Sequence, residues 1–492
     1  MKHEIVWTIA GSDSSGGAGI QADLSTFYNL GVHGCSIITA VTAQNNQEVV
    51  DIHYQSGKSV ESQIKSLQRD FSPKAIKIGM LGTLSAVEKI IQYLHSYSGS
   101  VVFDPIFIST SGHHLFDADV KVWLSTIKNL FPFVDVMTPN IVEAEKILCR
   151  KIESHQDIEL AALDILSFGV KSVLIKGGHF QHDTLSHDYW TNGLESFWIS
   201  NKRYAHKNYR GTGCTLSSAI SACLALGYTI KDSIVIAKMY VSRGIRLSEN
   251  IMQNAALLAH SGWPEDEIDL PYLTEKPIQQ LPEKCIDCGS EKLGLYPVVD
   301  SASWIEKLLP LGVKTIQLRI KNKYGHELEI EIQQSVRLAE KYQAKLFIND
   351  YWELATKLNA YGVHLGQEDI NTADIDMIRK AGLRLGISTH CYYEVARAHS
   401  FNPSYLACGP IYPTTSKIMP FTPQGILQLK RWRKTLNYPL VAIGGICMEK
   451  ISGILQTNVD GIAMISAITK ANDPIAATNK LLEMVRDYDA YA

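Results

Sequence analysis

The sequence predicts two α/β folds in tandem. An open, mostly parallel sheet with helices on both faces occupies residues 1–262. A (β/α)8 barrel occupies 293–492, and a linker covers 263–292. Three observations predict this. At 492 residues the chain is long enough for more than one core. Short apolar runs ending in glycine or a polar residue alternate with helix-like stretches on both sides of one break. The break, from SGWPEDEID to CGSEK, holds four prolines and many acidic residues without a sustained apolar period.

In the amino-terminal part the strand candidates are IVWTIAG, KAIKIGM, SVVFDPI, VDVMTPN and SVLIKGG. In the carboxy-terminal part eight runs follow in order: 294–300, 313–320, 345–350, 362–366, 383–389, 405–414, 439–446 and 460–466. Eight strands with helical spacers over about 200 residues are a barrel pattern, and they direct attention to the carboxyl ends of the strands. Within the break, Cys285-Ile286-Asp287-Cys288 has the spacing of half a zinc site. No second CxxC or paired histidines accompany it.

Composition narrows the partners. With 46% hydrophobic and 20% charged residues and a formal net charge of -3, nothing favours nucleic acid or an anionic membrane. No apolar run approaches a membrane span, and the opening MKHEIVWTIAGSDSSGG is not a signal peptide. Nine scattered cysteines suit reduced thiols in a cytoplasm. Small molecules are the expected partners, and a homo-oligomer is compatible with the sequence.

Residues 210–219, RGTGCTLSSA, place Cys214 between a Gly-Thr-Gly turn and a helix marked by Leu216, Ala219, Ile220, Cys223 and Leu224. Unpaired N–H groups and the helix dipole there favour a phosphate and are expected to ease loss of the thiol proton. The glycine-rich GSDSSGGAG at 11–19 follows a strand but matches neither the dinucleotide nor the Walker pattern. Asp104 ends a strand, Thr138-Pro139-Asn140 leads into a helix carrying Glu143, and Lys176 ends another strand. Asp104 and Glu143 suit placement of Mg2+, and Lys176 suits a nucleotide phosphate. With Gly211, Gly213 and Cys214 these are the parts of a phosphoryl-transfer site, Cys214 and Lys176 being the candidate catalytic residues.

GSDSSGGAGIQADL, TAVTAQN, KIGML, VVFDP, TPN, KGG and GTGCT together resemble the hydroxymethylpyrimidine and hydroxymethylpyrimidine-phosphate kinases, a ribokinase-like family of thiamin biosynthesis. The resemblance implies that Gln44 binds the pyrimidine with Gly11, Asp23 and Met80 around it, that Cys214 is catalytic, and that ATP is the co-substrate. Arg210 stands where the family commonly has histidine.

In the barrel half, Gln317, Arg319 and Lys321 end the second strand, Asn349 and Asp350 the third, and Ser388 the fifth. Asp369 follows the fourth, Thr414, Thr415, Ser416 and Lys417 the sixth, and Gly445, Ile465 and Ser466 the last two. Two carboxylates with three cations suit a magnesium diphosphate, and the amides after the last two strands suit a phosphate. QLRIK, NDYWELA, GVHLGQEDI, GISTH, GPIYPTTSK, AIGGI and MISAI resemble thiamin phosphate synthase. The resemblance implies that Gln317, Arg319, Lys321, Asn349, Ser388 and Lys417 hold the pyrimidine diphosphate. It assigns Mg2+ to Asp350 and Asp369, and the thiazole phosphate to Thr414, Thr415, Ser416, Gly445, Ile465 and Ser466. Ser416 replaces the usual threonine and Glu353 the usual aspartate, keeping hydroxyl and charge. The implied protein is bifunctional, making the pyrimidine diphosphate with ATP and joining it to hydroxyethylthiazole phosphate. Two alternatives stay open: a silent, pyrimidine-sensing half, or a kinase half that prefers pyridoxal.

Overall fold

The apolar runs form two separate sheet systems in the computed structural model, which describes residues 3–45, 48–107, 115–178, 184–204, 208–248, 255–414 and 422–491. The chain divides into one unit of Met1–Pro264 with Ile268–Leu281, and another of Glu265–Glu267 with Pro282–Ala492.

The first unit contains β1 (Ile5–Asp13), β2 (His33–Gln44), β3 (Val49–Tyr54), β4 (Ala75–Ile78), β5 (Ser100–Phe103) and β6 (Val136–Met137). It continues with β7 (Val173–Lys176), β8 (Leu185–Thr191), β9 (Ser196–Lys202), β10 (Asn208–Arg210), β11 (Ala255–Leu257) and β12 (Tyr272–Thr274). Ten of these make one sheet in the order β12-β9-β8-β7-β6-β5-β4-β1-β2-β3, while β10 and β11 pair separately. The five expected strands are its central parallel block, β7-β6-β5-β4-β1, with β2 parallel beside β1. Its antiparallel edges, β3 on one side and β8, β9 and β12 on the other, were not expected. Strand β12 draws part of the 263–292 segment into this sheet. Trp7, Ile9, Ile76, Ile78, Val101 and Phe103 are buried in a core beneath the helices on one face, as a doubly covered parallel sheet requires.

The second unit holds β13 (Gly294–Val299), β14 (Thr315–Leu318), β15 (Lys345–Asn349), β16 (Gly362–Leu365), β17 (Arg384–Thr389), β18 (Tyr405–Cys408), β19 (Leu440–Ile443) and β20 (Gly461–Met464). They close in sequence order into a parallel barrel, and each lies within its expected run. Tyr296, Val298, Phe347, Tyr405, Val441 and Ala463 fill its interior. Cys285 and Cys288 are buried in this unit, their Sγ atoms 3.9 Å from Phe401 O and 4.0 Å from Ser404 O. Among the described residues no three His, Cys, Asp or Glu side chains gather as a metal site, and no helix is long and apolar enough to cross a membrane.

Candidate functional site

The ends of β1, β4, β5 and β7 surround a cavity of about 540 Å3 in the first unit. Its lining includes Gly11, Gln44, Met80, Asp104, Glu143, Lys176, Gly211, Gly213 and Cys214. Helix Thr212–Ala225 begins here because Gly211 adopts φ 77°, a left-handed conformation suited to glycine. A Cβ at Gly211 would stand 2.1 Å from Gly17 O, so the two glycine loops touch through backbone alone. Cys214 is the third helical residue, close to the unpaired amides.

Lys176 Nζ lies 2.7 Å from Asp104 Oδ1 and 3.9 Å from Glu143 Oε2, and Thr138 Oγ1 also donates to Asp104 at 3.2 Å. Glu143 and Asn140 form a reciprocal helix cap, Asn140 N donating to Glu143 Oε2 at 2.7 Å and Glu143 N to Asn140 Oδ1 at 2.9 Å. Burial pushes the Glu143 carboxyl up to about 7, against the pull of Lys176. A cation facing two oxygen ligands suits both a nucleotide phosphate and a hard, hydrated ion beside it. The Arg210 guanidinium donates to Asn45 O and lines the same cavity.

In the second unit the expected residues stand after the barrel strands. Lys321 Nζ pairs with Asp350 Oδ2 at 2.5 Å. Asp369 Oδ2 accepts from Gly366 N at 3.1 Å, and burial followed by the neighbouring Asp350 raises its carboxyl above the ordinary range. Two carboxylates sharing space in this way fit a divalent cation, which relieves their repulsion. Ser388 Oγ lies 2.8 Å from His364 Nε2, while His364 Nδ1 lies 2.7 Å from Tyr405 OH. Tyr405 OH is 2.9 Å from Tyr296 OH, which accepts from Gln317 Nε2 at 3.3 Å. Gly445, at φ 65°, follows β19, and Ile465 precedes the helix that starts at Ser466. Thr415, Ser416 and Lys417 lie outside the described residues, and Thr414 is the last described residue before them.

These two sites coincide with two family matches. The model of phosphomethylpyrimidine kinase matches residues 13–258, and that of thiamine monophosphate synthase matches 295–468. The chain belongs to both families. The thiamine-phosphate synthase of Pectobacterium atrosepticum is 54% identical over 203 residues, which cover 41% of this chain and 95% of that protein. That of Proteus mirabilis is 56% identical over 196 residues, covering 40% of this chain and 91% of that protein. A pyridoxal kinase from Staphylococcus aureus solved with AMP-PCP is 28% identical, with a TM-score of 0.51; the match covers 56% of this chain and 100% of that one. The chain is thus a bifunctional transferase of thiamin biosynthesis. Its kinase half makes the pyrimidine diphosphate, and its synthase half joins that diphosphate to the thiazole phosphate.

Two expectations for the kinase half change with the tertiary structure. Asp23 does not line the cavity. It is fully buried and accepts from Thr8 Oγ1 at 2.6 Å, Lys77 Nζ at 2.9 Å and Ser218 Oγ at 2.6 Å. Nor is the Cys214 thiol acidic: burial pushes it up to about 11, and Lys77 only partly opposes this. The helix terminus favours the thiolate, but desolvation outweighs it.

Sequence reasoning also missed Lys77 and His364. A lysine inside the buried strand AIKI was the visible signal for the first. The histidine inside the apolar run GVHL was the signal for the second.

Proposed function

We propose that phosphoryl transfer in the kinase half runs through the residues around the 540 Å3 cavity. Lys176 and the amides of Gly211 and Gly213 hold the phosphates of ATP, and Gln44, Met80 and Gly11 frame the pyrimidine. Cys214 takes the proton of the substrate hydroxyl as its oxygen bonds to the γ-phosphorus and the bond to ADP breaks. Asp104 and Glu143 are the residues to hold Mg2+, which when bound would neutralise phosphate charge. The observation that carries this reading is that Cys214, Lys176 and both carboxylates line one cavity.

In the synthase half Gln317, Arg319, Lys321, Asn349, Ser388 and Lys417 hold the pyrimidine diphosphate. Thr414 to Ser416, Gly445, Ile465 and Ser466 hold the thiazole phosphate. The C–O bond to diphosphate breaks with its electron pair, and the thiazole nitrogen lone pair forms the new C–N bond, so no protein nucleophile is needed. Asp350 and Asp369 are the residues to hold Mg2+, which when bound would stabilise the departing diphosphate. Their shared position beside Lys321 supports this. Nine cysteines scattered along the chain suit a reducing, cytoplasmic setting.

The test is one incubation of the purified chain with hydroxymethylpyrimidine, ATP, Mg2+ and hydroxyethylthiazole phosphate, followed by mass spectrometry. Thiamin phosphate is the expected product. Pyrimidine diphosphate without it would leave the synthase reading wrong for this thiazole, and no phosphorylated pyrimidine would sink the kinase reading. The likeness to a pyridoxal kinase makes pyridoxal the competitor to run beside it. A higher kcat/KM for pyridoxal would reverse the substrate assignment.

A further inference from the structure

Lys77 is an expensive residue to place where it stands. Its side chain is 0% exposed, in a strand whose four residues are all buried. Burying an ammonium carries a heavy desolvation penalty, and well-packed apolar residues often replace such a charge without loss of stability. The surroundings nevertheless keep it charged. Burial opposes the charge, yet Asp23, Cys214 and Asp104 hold its pKa above the ordinary lysine value.

The cluster around it is built. Asp23 Oδ2 accepts from both Lys77 and Thr8, and Asp23 Oδ1 accepts from Ser218. Ser218 lies one turn beyond Cys214 on the same helix, so the carboxylate ties the lysine to the face that carries the thiol. Gly79 clears room for the ammonium, since a Cβ there would stand 2.8 Å from Nζ. Among the described residues Asp23 is the only hydrogen-bond acceptor for an Nζ that has three N–H groups to donate. Lys77 is among the residues that border the cavity with Cys214, its ammonium lying just behind that wall and shielded from water. A buried cation with donors to spare at the wall of a reaction cavity marks a functional position.

We propose that Lys77 is a further catalytic residue of the kinase, donating to the acceptor oxygen of the pyrimidine substrate and holding the negative charge there during transfer. This rests on the reading that phosphoryl transfer occurs in this cavity. In the first phosphorylation the hydroxyl proton passes to the Cys214 thiolate. The O–P bond then forms and the bond from the γ-phosphorus to the ADP oxygen breaks, and Cys214 releases the proton to water. In the second, the acceptor is a phosphate oxygen that carries no proton above its second pKa of about 6. Lys77 keeps its own proton and serves both steps, whereas a base is needed only in the first.

The two steps therefore separate the two residues. Lys77→Met is expected to lower kcat about 100-fold in both phosphorylations, with the KM for ATP changed less than about threefold. Cys214→Ala is expected to damage chiefly the first. A folded Lys77→Met chain, shown by calorimetric pyrimidine binding, whose kcat stays within about threefold of wild type in both steps would overturn the proposal. If Lys77→Met alone does not fold, the Asp23→Asn/Lys77→Met chain, which leaves no lone buried charge, takes its place with the same outcomes. A crystal of the wild-type chain with hydroxymethylpyrimidine and AMP-PCP decides independently of any variant. Nζ within about 3.2 Å of the hydroxymethyl oxygen supports the proposal, and Nζ bonded to Asp23 alone refutes it. Should Cys214→Ala leave the first step intact while Lys77→Met lowers it, the base assignment falls and Lys77 stands. A wild-type chain that phosphorylates no pyrimidine would remove the kinase reading, and this proposal with it.

Discussion

Cys214 shows how far one side chain depends on what surrounds it. Its position in the first turn of a helix favours an anion, but burial pushes the thiol up to about 11. Only a small thiolate fraction exists at neutral pH, and it grows as pH rises toward that value. The rate of the first phosphorylation is therefore expected to climb with pH through 7 to 9, measured as ADP release under saturating substrates. Cys214→Ala is expected to lower that rate about 100-fold or more and to flatten the climb. An unchanged pH profile in the variant would show that the thiol is not the base. On the synthase side, burial and then the charge of the neighbouring Asp350 raise the Asp369 carboxyl above the ordinary range. Asp369→Asn is expected to cut thiamin phosphate formation from supplied diphosphate about 100-fold and to raise the Mg2+ concentration needed for half-maximal rate. A variant with wild-type Mg2+ dependence would remove Asp369 from the metal site.

Whole elements are held to the site by close backbone approach. Gly19 adopts φ 58°, and a Cβ there would stand 2.3 Å from Gly11 O. Gly19→Ala therefore strains the loop that opens helix Gly19–Asn29. It is expected to cost about 2–4 kcal/mol of kinase-unit stability and to abolish pyrimidine binding, read by thermal unfolding and calorimetry. In the barrel the hydrogen-bonded chain Ser388–His364–Tyr405–Tyr296–Gln317 links β17, β16, β18, β13 and β14 across the interior. Burial pulls His364 down to about 4, and buried His399 likewise. A histidine with a lowered folded pKa binds fewer protons than in the unfolded chain, so its contribution to stability is complete above about 6.5. That contribution is lost as pH falls from there toward 4. The urea midpoint for loss of synthase activity is therefore expected to drop between pH 7 and 5. His364→Gln is expected to shrink the drop, and an equal drop in the variant would mean that His364 is not a source of it.

Across the molecule each unit closes its own core, one beneath an open sheet and one inside a barrel. The two chemistries are accordingly expected to be separable by single substitutions. Cys214→Ala supplied with pyrimidine diphosphate and thiazole phosphate should form thiamin phosphate at the wild-type rate. Asp369→Asn supplied with hydroxymethylpyrimidine and ATP should accumulate the diphosphate. Loss of both activities from either substitution would contradict independent units.

The sequence by itself determined the fold class of each half, all eight barrel strands and the central parallel block of the open sheet. Each rests on a local pattern: apolar runs, their period and the residues that end them. It also placed Cys214 in a helical first turn, Asp350 and Ser388 at strand ends and Asp369 in the loop after the fourth barrel strand, because strand ends are legible from where an apolar run stops. The antiparallel edges β8, β9 and β12 were not legible, since half-polar edge strands and a proline-rich segment lack a continuous apolar run. Tertiary structure alone decided the acidity of Cys214, the removal of Asp23 from the pocket wall, and the meeting of Asp23 with Lys77 and Ser218. Those partners are 54 and 195 residues away in the chain. Charge and hydration at a buried atom are sums over everything packed around it, and no periodicity along the chain records that sum.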